Sequence, residues 1–166
     1  FFYLCDMGNS LKWPDGDYRI EEVKNSLDQS FSTEKELCDY IELNIDLFTK
    51  DCLGYEFASY QREYPLYVTR KRLKGNRRID FLIITKCGKR IGIECKKPKY
   101  DCEHASAIGQ ILSYIALFDQ SDIKLDRMVL VSTRVDFVIP LIINKFSLPI
   151  EYICMDRKKH LTLVKP

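Results

Sequence analysis

"RRIDFLIITKCGKRIGIECKKP", residues 77–98, predicts two apolar strands joined by a tight turn at KCGK. Three charged residues interrupt the apolar pattern: Asp80 in the first strand, and Glu94 and Lys96 in the second. Because side chains alternate across a strand, we expect Asp80 to share a face with Leu82 and Ile84, and Glu94 to share one with Lys96. The two carboxylates are therefore able to meet on one side of a sheet.

Two buried carboxylates need a compensating charge. Ionised acids are costly in a protein interior unless they are paired or hold a metal, and Lys96 supplies one positive charge for Asp80 and Glu94 together. A divalent cation would balance the sum, and hard oxygen ligands suit Mg²⁺ or Mn²⁺. The alternative is a salt-bridged trio at a sheet edge without a functional role.

The flanking segments complete an α/β pattern. Residues 1–30, with the turn-like WPDGD, predict an N-terminal arm or extension ahead of one domain at 31–166. Further elements are predicted by hydrophobic periodicity: helices at 30–48, 104–118 and 136–146, the last interrupted or begun at Pro140, and strands at 55–68, 127–133, 150–156 and 161–165. The order α-β-β-β-α-β-α-β predicts a central mixed β-sheet flanked by helices.

The first predicted helix carries an acid on its apolar side. Ser32 or Thr33 is placed to cap it, and at about 100° per residue Glu34 falls on the stripe formed by Leu37 and Ile41. Glu34 is therefore predicted to point inward. The other interpretation is a first-turn acid that favours the helix dipole.

The second predicted helix has an uncharged polar face. No Asp, Glu, Lys or Arg occurs between Ala105 and Phe118, and opposite the apolar stripe lie Ser106, Gln110 and Ser113, with Tyr114 at the border. This face is typical of a helix that lines a site, although Gln110 and Tyr114 could also complete hydrogen bonds in the core.

Charge is distributed unevenly along the chain. Residues 62–99 carry 13 Lys or Arg against three acids, whereas residues 1–61 carry five against 13. A basic block beside an acidic flank favours an anionic partner such as a phosphate backbone, with RKRLKGNRR at 70–78 as the candidate contact. A solvated turn is the other interpretation of that run.

Cysteine use and hydropathy exclude several classes. The seven cysteines include no CxxC pair, which argues against a disulfide framework and a zinc ribbon, so we expect no zinc and mostly small core thiols, with a disulfide left open. No apolar run reaches the length of a membrane span, and the opening FFYLCDMG lacks a basic leader region. We therefore expect a cytoplasmic protein without a membrane partner.

The ordered set of Glu34, RID (Asp80), GIECKK (Glu94, Cys95, Lys96) and AIGQILSY (Gln110, Tyr114) resembles the PD-(D/E)XK nuclease superfamily. This is the restriction-endonuclease-like fold, shared by Holliday junction resolvases and RecB-type nuclease domains. The resemblance is strongest to the C-terminal nuclease domains of archaeal mismatch or branched-DNA endonucleases, and it covers residues 31 to about 120. Ile79 stands where the name motif has proline, as in many members.

The resemblance implies a Mg²⁺- or Mn²⁺-dependent DNA endonuclease that hydrolyses phosphodiester bonds in repair or recombination. No separate sequence-reading module is visible, which favours a structure-selective enzyme for branched, mismatched or end-containing DNA over a site-specific restriction enzyme. The small single domain and the cysteine usage are consistent with a viral or archaeal origin. Asp80, Glu94 and the backbone carbonyl of Cys95 would hold the metal, with Glu34 bound directly or through water. Lys96 would orient the attacking water and stabilise the developing charge, and Gln110 would position Lys96 or a phosphate.

The implied nucleic-acid contacts are Arg70, Lys71, Arg72, Lys74, Arg77, Arg78, Lys97 and Tyr114. Phosphate contacts of this kind add affinity without sequence choice. A two-fold homodimer would suit the cutting of both strands. The alternative of a different class is a non-catalytic module that binds nucleic acid or a partner protein on the same fold.

Overall fold

Helices and strands follow one another in the predicted α/β order. The computed structural model describes residues 10–13, 16–19, 31–68, 71–72, 77–99, 101–119, 123–136, 138–155, 157 and 160–164. Its helices are α1 (Glu34–Leu43), α2 (Ile45–Leu47), a π-helical turn (Phe48–Cys52), α3 (Asp101–Asp119) and α4 (Val138–Lys145). Its strands are β1 (Ser10–Trp13), β2 (Gly16–Arg19), β3 (Phe57–Pro65), β4 (Tyr67–Val68), β5 (Lys71–Arg72), β6 (Arg78–Thr85), β7 (Arg90–Lys96), β8 (Arg127–Ser132), β9 (Ile150–Met155) and β10 (His160–Val164).

The main sheet is mixed and six-stranded, in the order β10-β9-β8-β7-β6-β3. The strands β3, β6 and β7 form an antiparallel meander, β7, β8 and β9 are parallel, and β10 returns antiparallel to β9. Parallel neighbours need a crossover, which α3 supplies between β7 and β8 and α4 between β8 and β9. The predicted fold class, α/β with a mixed sheet and flanking helices, is confirmed.

Two smaller pairings lie outside this sheet. The strands β1 and β2 pair antiparallel within the predicted N-terminal arm, and β4 pairs with β5 between β3 and β6. Neither pairing tests the division of the chain at residue 31, which stays a prediction. Within the described part of the chain, no helix combines the length and the apolar character needed to cross a bilayer.

Each face of the main sheet carries its own hydrophobic cluster. Ile111 of α3 and Ile143 of α4 belong to one cluster, so both crossover helices cover the same face. Leu37 and Ile41 of α1 belong to the other cluster together with Ile93 of β7. Since strand β7 is buried on both faces, its residues 91–95 form an apolar run broken only by Glu94.

Local contacts explain where the helices begin. The Thr33 hydroxyl accepts a hydrogen bond from the Glu36 backbone N–H at 3.1 Å, which makes Thr33 the N-cap of α1 as predicted. Helix α3 begins at Asp101, three residues before the predicted start, and the Glu103 carboxylate in its first turn accepts the Lys99 backbone N–H at 2.6 Å.

Candidate active site

Four charged side chains from α1, β6 and β7 converge at one end of the sheet. Lys96 Nζ donates to Glu94 Oε1 at 2.7 Å and lies 3.5 Å from Glu34 Oε1. Asp80 Oδ2 accepts the backbone N–H of Cys95 at 2.7 Å. The residues singled out in the sequence, Glu34, Asp80, Glu94 and Lys96, are therefore neighbours in space.

Asp80 occupies an irregular position at the end of the β6–β7 pairing. The paired residues end at Phe81, and beyond it the Asp80 side chain, in place of a backbone carbonyl, accepts the Cys95 N–H. The alternation of side chains between the two faces of β6 is interrupted at this point. Ile79 and Leu82 pack in the cluster under α3 and α4, and Phe81 packs under α1, whereas strict alternation would place Ile79 and Phe81 on the same face. The Asp80 carboxylate therefore lies where the two faces of the sheet meet.

Glu94 is a buried acid with an unsatisfied oxygen. Its side chain is 2% exposed, and Glu94 Oε2 has no hydrogen-bond partner among the described residues. Burial, followed by repulsion from Asp80, raises the pKa of Glu94 to about 7, and attraction by Lys96 opposes the rise. Burial also raises the pKa of Asp80, against the opposing effects of the Cys95 N–H and Lys96.

Lys96 is held in its charged form. Burial alone would lower the pKa of its ammonium group, but Glu94, Glu34 and Asp80 outweigh that effect and hold the pKa above its ordinary value. One ammonium group still faces three carboxyl groups. The excess of oxygen ligands and the orphaned Glu94 Oε2 fit a hard divalent cation, which would satisfy both.

Glu34 reaches the site from α1 with its side chain 44% exposed. Helix α1 is fixed to the sheet by Arg62 of β3, which donates to Asp39 at 2.7 Å and to Glu42. The charge of Arg62 also acts on Asp80 and slightly opposes the rise in the pKa that burial causes there. The sequence interpretation missed Arg62. The one sequence feature that could have indicated its role is its position as a cation on the predicted strand that follows the acidic first helix.

Helix α3 brings Tyr114 and Gln110 beside the site. The buried Tyr114 hydroxyl accepts a hydrogen bond from Gln110 Nε2. Burial raises the pKa of Tyr114, and the charges of Glu94 and Asp80 add to this effect, so the hydroxyl lies within electrostatic range of both acids. The Gln110 amide thus contacts Tyr114, and it is the Tyr114 hydroxyl that lies near the charged residues.

The basic residues among the predicted nucleic-acid contacts lie in different surroundings. Arg77 donates to the Ser113 hydroxyl of α3 at 2.8 Å, and Arg78 pairs with Glu63 at 2.6 Å. Lys97 is half-buried directly after β7. Lys71 and Arg72 form β5, while Arg70 and Lys74 lie outside the described residues.

A solved structure of a repair endonuclease has a similar fold. A crystal structure of a repair endonuclease from Pyrococcus abyssi matches with a TM-score of 0.51 and 18% sequence identity, over 76% of this chain and 48% of that one. A structure titled EndoMS-dsDNA2 complex matches with a TM-score of 0.39 and 18% identity, over 71% of this chain and 45% of that one. This chain thus matches about half the length of each.

No protein-family model matches the sequence, and no curated protein matches it significantly. The likeness to the Pyrococcus repair endonuclease accordingly concerns the fold. The chemistry of the site rests on the residues described above.

Proposed function

We propose that the chain is a metal-dependent DNA endonuclease of the PD-(D/E)XK type. The observation that carries the proposal is the convergence of Asp80, Glu94 and Lys96, with Glu34, at the end of β7, where a buried Glu94 oxygen has no partner among the described residues. Such an arrangement costs stability in the protein alone and is expected where a ligand compensates it.

Asp80 and Glu94, the backbone carbonyl of Cys95, and Glu34 directly or through water would hold the Mg²⁺ or Mn²⁺ ion. When bound, the ion supplies Lewis-acid polarisation of the phosphodiester and of the attacking water. The hydrogen bond from the Cys95 N–H fixes the Asp80 carboxylate, so the oxygen ligands are oriented before any ion arrives.

The ammonium group of Lys96 would have two roles in the reaction. Its hydrogen bond to Glu94 directs Nζ into the site, where the ammonium can orient the attacking water and stabilise negative charge that develops on the phosphoryl oxygens. Gln110 and Tyr114, which are hydrogen-bonded to each other, would line the α3 side of the site and position Lys96 or a phosphate oxygen.

DNA is the proposed substrate, and the fold shared with a repair endonuclease supports it. The basic residues that precede β6, Arg77 among them, would contact the phosphate backbone. Such contacts do not select a base sequence. We therefore propose a structure-selective enzyme for branched, mismatched or end-containing DNA, acting as a two-fold dimer on paired strands.

The test is cleavage of end-labelled linear, flap, splayed, mismatched and four-way DNA with Mg²⁺, Mn²⁺ or a chelator. We expect cutting of at least one branched or mismatched substrate that requires the metal. Asp80→Ala should abolish it, and Lys96→Ala should lower the single-turnover rate by about 10²- to 10³-fold, as for loss of one group that stabilises transition-state charge.

Lys86→Ala is the matched control, because Lys86 is an exposed lysine in the β6–β7 turn, paired with Glu56 and far along the sheet from Lys96. It should cleave like the parent protein. Equal rates for Lys96→Ala and Lys86→Ala would refute the role of Lys96. Metal binding without cleavage of any substrate would instead support a binding module on this fold.

A further inference from the structure

A second group of potential metal ligands shares Asp80 with the proposed site. The Sγ atoms of Cys38 and Cys95 and a carboxylate oxygen of Asp80 all lie within 4.8 Å of one another. Cys38 follows Glu34 by one turn of α1, and Cys95 stands between Glu94 and Lys96 on β7. Its side chain points to the opposite face, into the cluster under α1.

Both thiols are free and enclosed. Cys95 is completely buried and Cys38 is 6% exposed. Asp80, in contrast, is partly accessible and opens onto the carboxylate site. An ion could therefore reach the thiols from the same side as the proposed hydrolytic metal, past Asp80.

The chemistry of this group differs from that of the carboxylate site. Thiolates are soft ligands that select ions such as Zn²⁺ over Mg²⁺. Around a tetrahedral zinc ion with Zn–S bonds of about 2.3 Å, two sulfur ligands stand roughly 3.8 Å apart. The observed upper limit of 4.8 Å between these atoms is about 1 Å above that spacing, so binding requires a small approach of the two thiols.

In contrast to the expectation of no zinc, which was based on the absence of a CxxC pair, we propose that Cys38, Cys95 and Asp80 bind one thiophilic divalent cation, represented by Zn²⁺, with water in the fourth position. Binding replaces the protons of both thiols, which are released to solvent. Two thiolates and a carboxylate leave the bound Zn²⁺ with one excess negative charge, and Lys96 and Arg62 are the cations whose charges act on Asp80.

Asp80 is a proposed ligand of both the hydrolytic metal ion and the thiol-bound ion, and it cannot bind both in its best geometry at once. The zinc ion would draw its carboxylate toward the thiols and away from Glu94, so Zn²⁺ and Mg²⁺ should compete. This regulatory part rests on the proposed nuclease function: zinc would inhibit Mg²⁺-dependent cleavage, and removal of a thiol would relieve that inhibition. The binding part stands without it.

The test uses the whole chain with Co²⁺ as a spectroscopic substitute for Zn²⁺, in a phosphine reductant that keeps thiols reduced. Thiolate-to-cobalt charge transfer absorbs in the near ultraviolet, whereas cobalt bound by carboxylates alone does not. We expect one equivalent of Co²⁺ to produce the band and Zn²⁺ to remove it. Cys38→Ala and Cys38→Ser should lose it, with zinc affinity falling by more than the 10- to 100-fold typical of an outer-shell change.

Cys52→Ala is the matched control, because Cys52 is a buried free thiol in the same hydrophobic cluster but outside the three-residue group. It should keep the band and the affinity. Near-ultraviolet circular dichroism checks that each variant is folded, and Cys95→Ala repeats the test should Cys38 variants unfold.

The absence of a thiolate band in the parent protein would overturn the proposal, as would equal zinc affinity in Cys38→Ala and Cys52→Ala. Because these readouts require no DNA, they separate failure of the thiol site from failure of the nuclease function. If cleavage does occur, zinc should inhibit the parent and Cys52→Ala proteins and leave Cys38→Ala at least ten times less sensitive. Equal inhibition would refute the regulatory part.

Discussion

The substitution Glu94→Gln should stabilise the metal-free protein at alkaline pH. Glu94 is buried beside Asp80, and its pKa is raised from 4.5 to about 7. A carboxyl with a raised pKa in the folded state holds its proton more tightly there than in the unfolded chain. Its stabilising contribution is therefore complete below about pH 4.5 and is lost as the pH rises through about 7.

The size of the effect follows from the same values. A rise from 4.5 to about 7 corresponds to about 3 kcal/mol of unfolding free energy, at about 1.4 kcal/mol per pH unit. Glutamine has nearly the shape of the protonated acid but does not titrate. The variant should thus match the parent near pH 4.5 and exceed it by about 3 kcal/mol at pH 8, or roughly 6 to 12 °C in Tm.

The measurement is urea unfolding in a chelator at several pH values, with Glu56→Gln as the control. Glu56 is exposed and paired with Lys86, which lowers its pKa, so its substitution should give no growing advantage at high pH. Mg²⁺ should stabilise the parent and leave Glu94→Gln almost unchanged. A difference between Glu94→Gln and the parent that stays constant with pH would refute the reasoning.

Three further predictions concern α1, α3 and DNA binding. Thr33→Ala removes the N-cap bond to the Glu36 N–H and should cost about 1 kcal/mol in urea unfolding; no loss would show that the cap is dispensable. Gly109→Ala adds a methyl group with no atom within 4 Å and should raise stability by about 1 kcal/mol, which thermal unfolding measures. Arg77→Ala should reduce the salt dependence of DNA binding by about one phosphate contact in fluorescence anisotropy, whereas Ser113→Ala, which removes only the partner hydroxyl, should leave the slope unchanged.

Much of the fold was accessible from local sequence patterns. Strand alternation and helix periodicity each depend on residues a few positions apart, so the β6–β7 hairpin, α1 and α3 could be read directly. The pairing of Glu94 with Lys96 follows from the same alternation, because residues two apart on a strand share a face. The N-cap at Thr33 is equally local.

Contacts that depend on packing between distant segments were not accessible in this way. In the sequence, Cys38 is one of several apolar residues predicted on α1. The packing of α1 against β7 brings its thiol beside Cys95 and Asp80, and this packing is not visible in the local pattern. The hydrogen bond from Cys95 to Asp80 likewise depends on where strand pairing stops, which side-chain periodicity does not specify. Arg62 was missed for the same reason, since its partners lie on another element.

The hairpin that carries Asp80 and Glu94 also bears on how the chain folds. Hairpins close within microseconds, whereas the parallel pairing of β7 with β8 must wait for the crossover through α3. The positions of Asp80 and Glu94 relative to each other are therefore set within one hairpin and do not depend on either crossover helix.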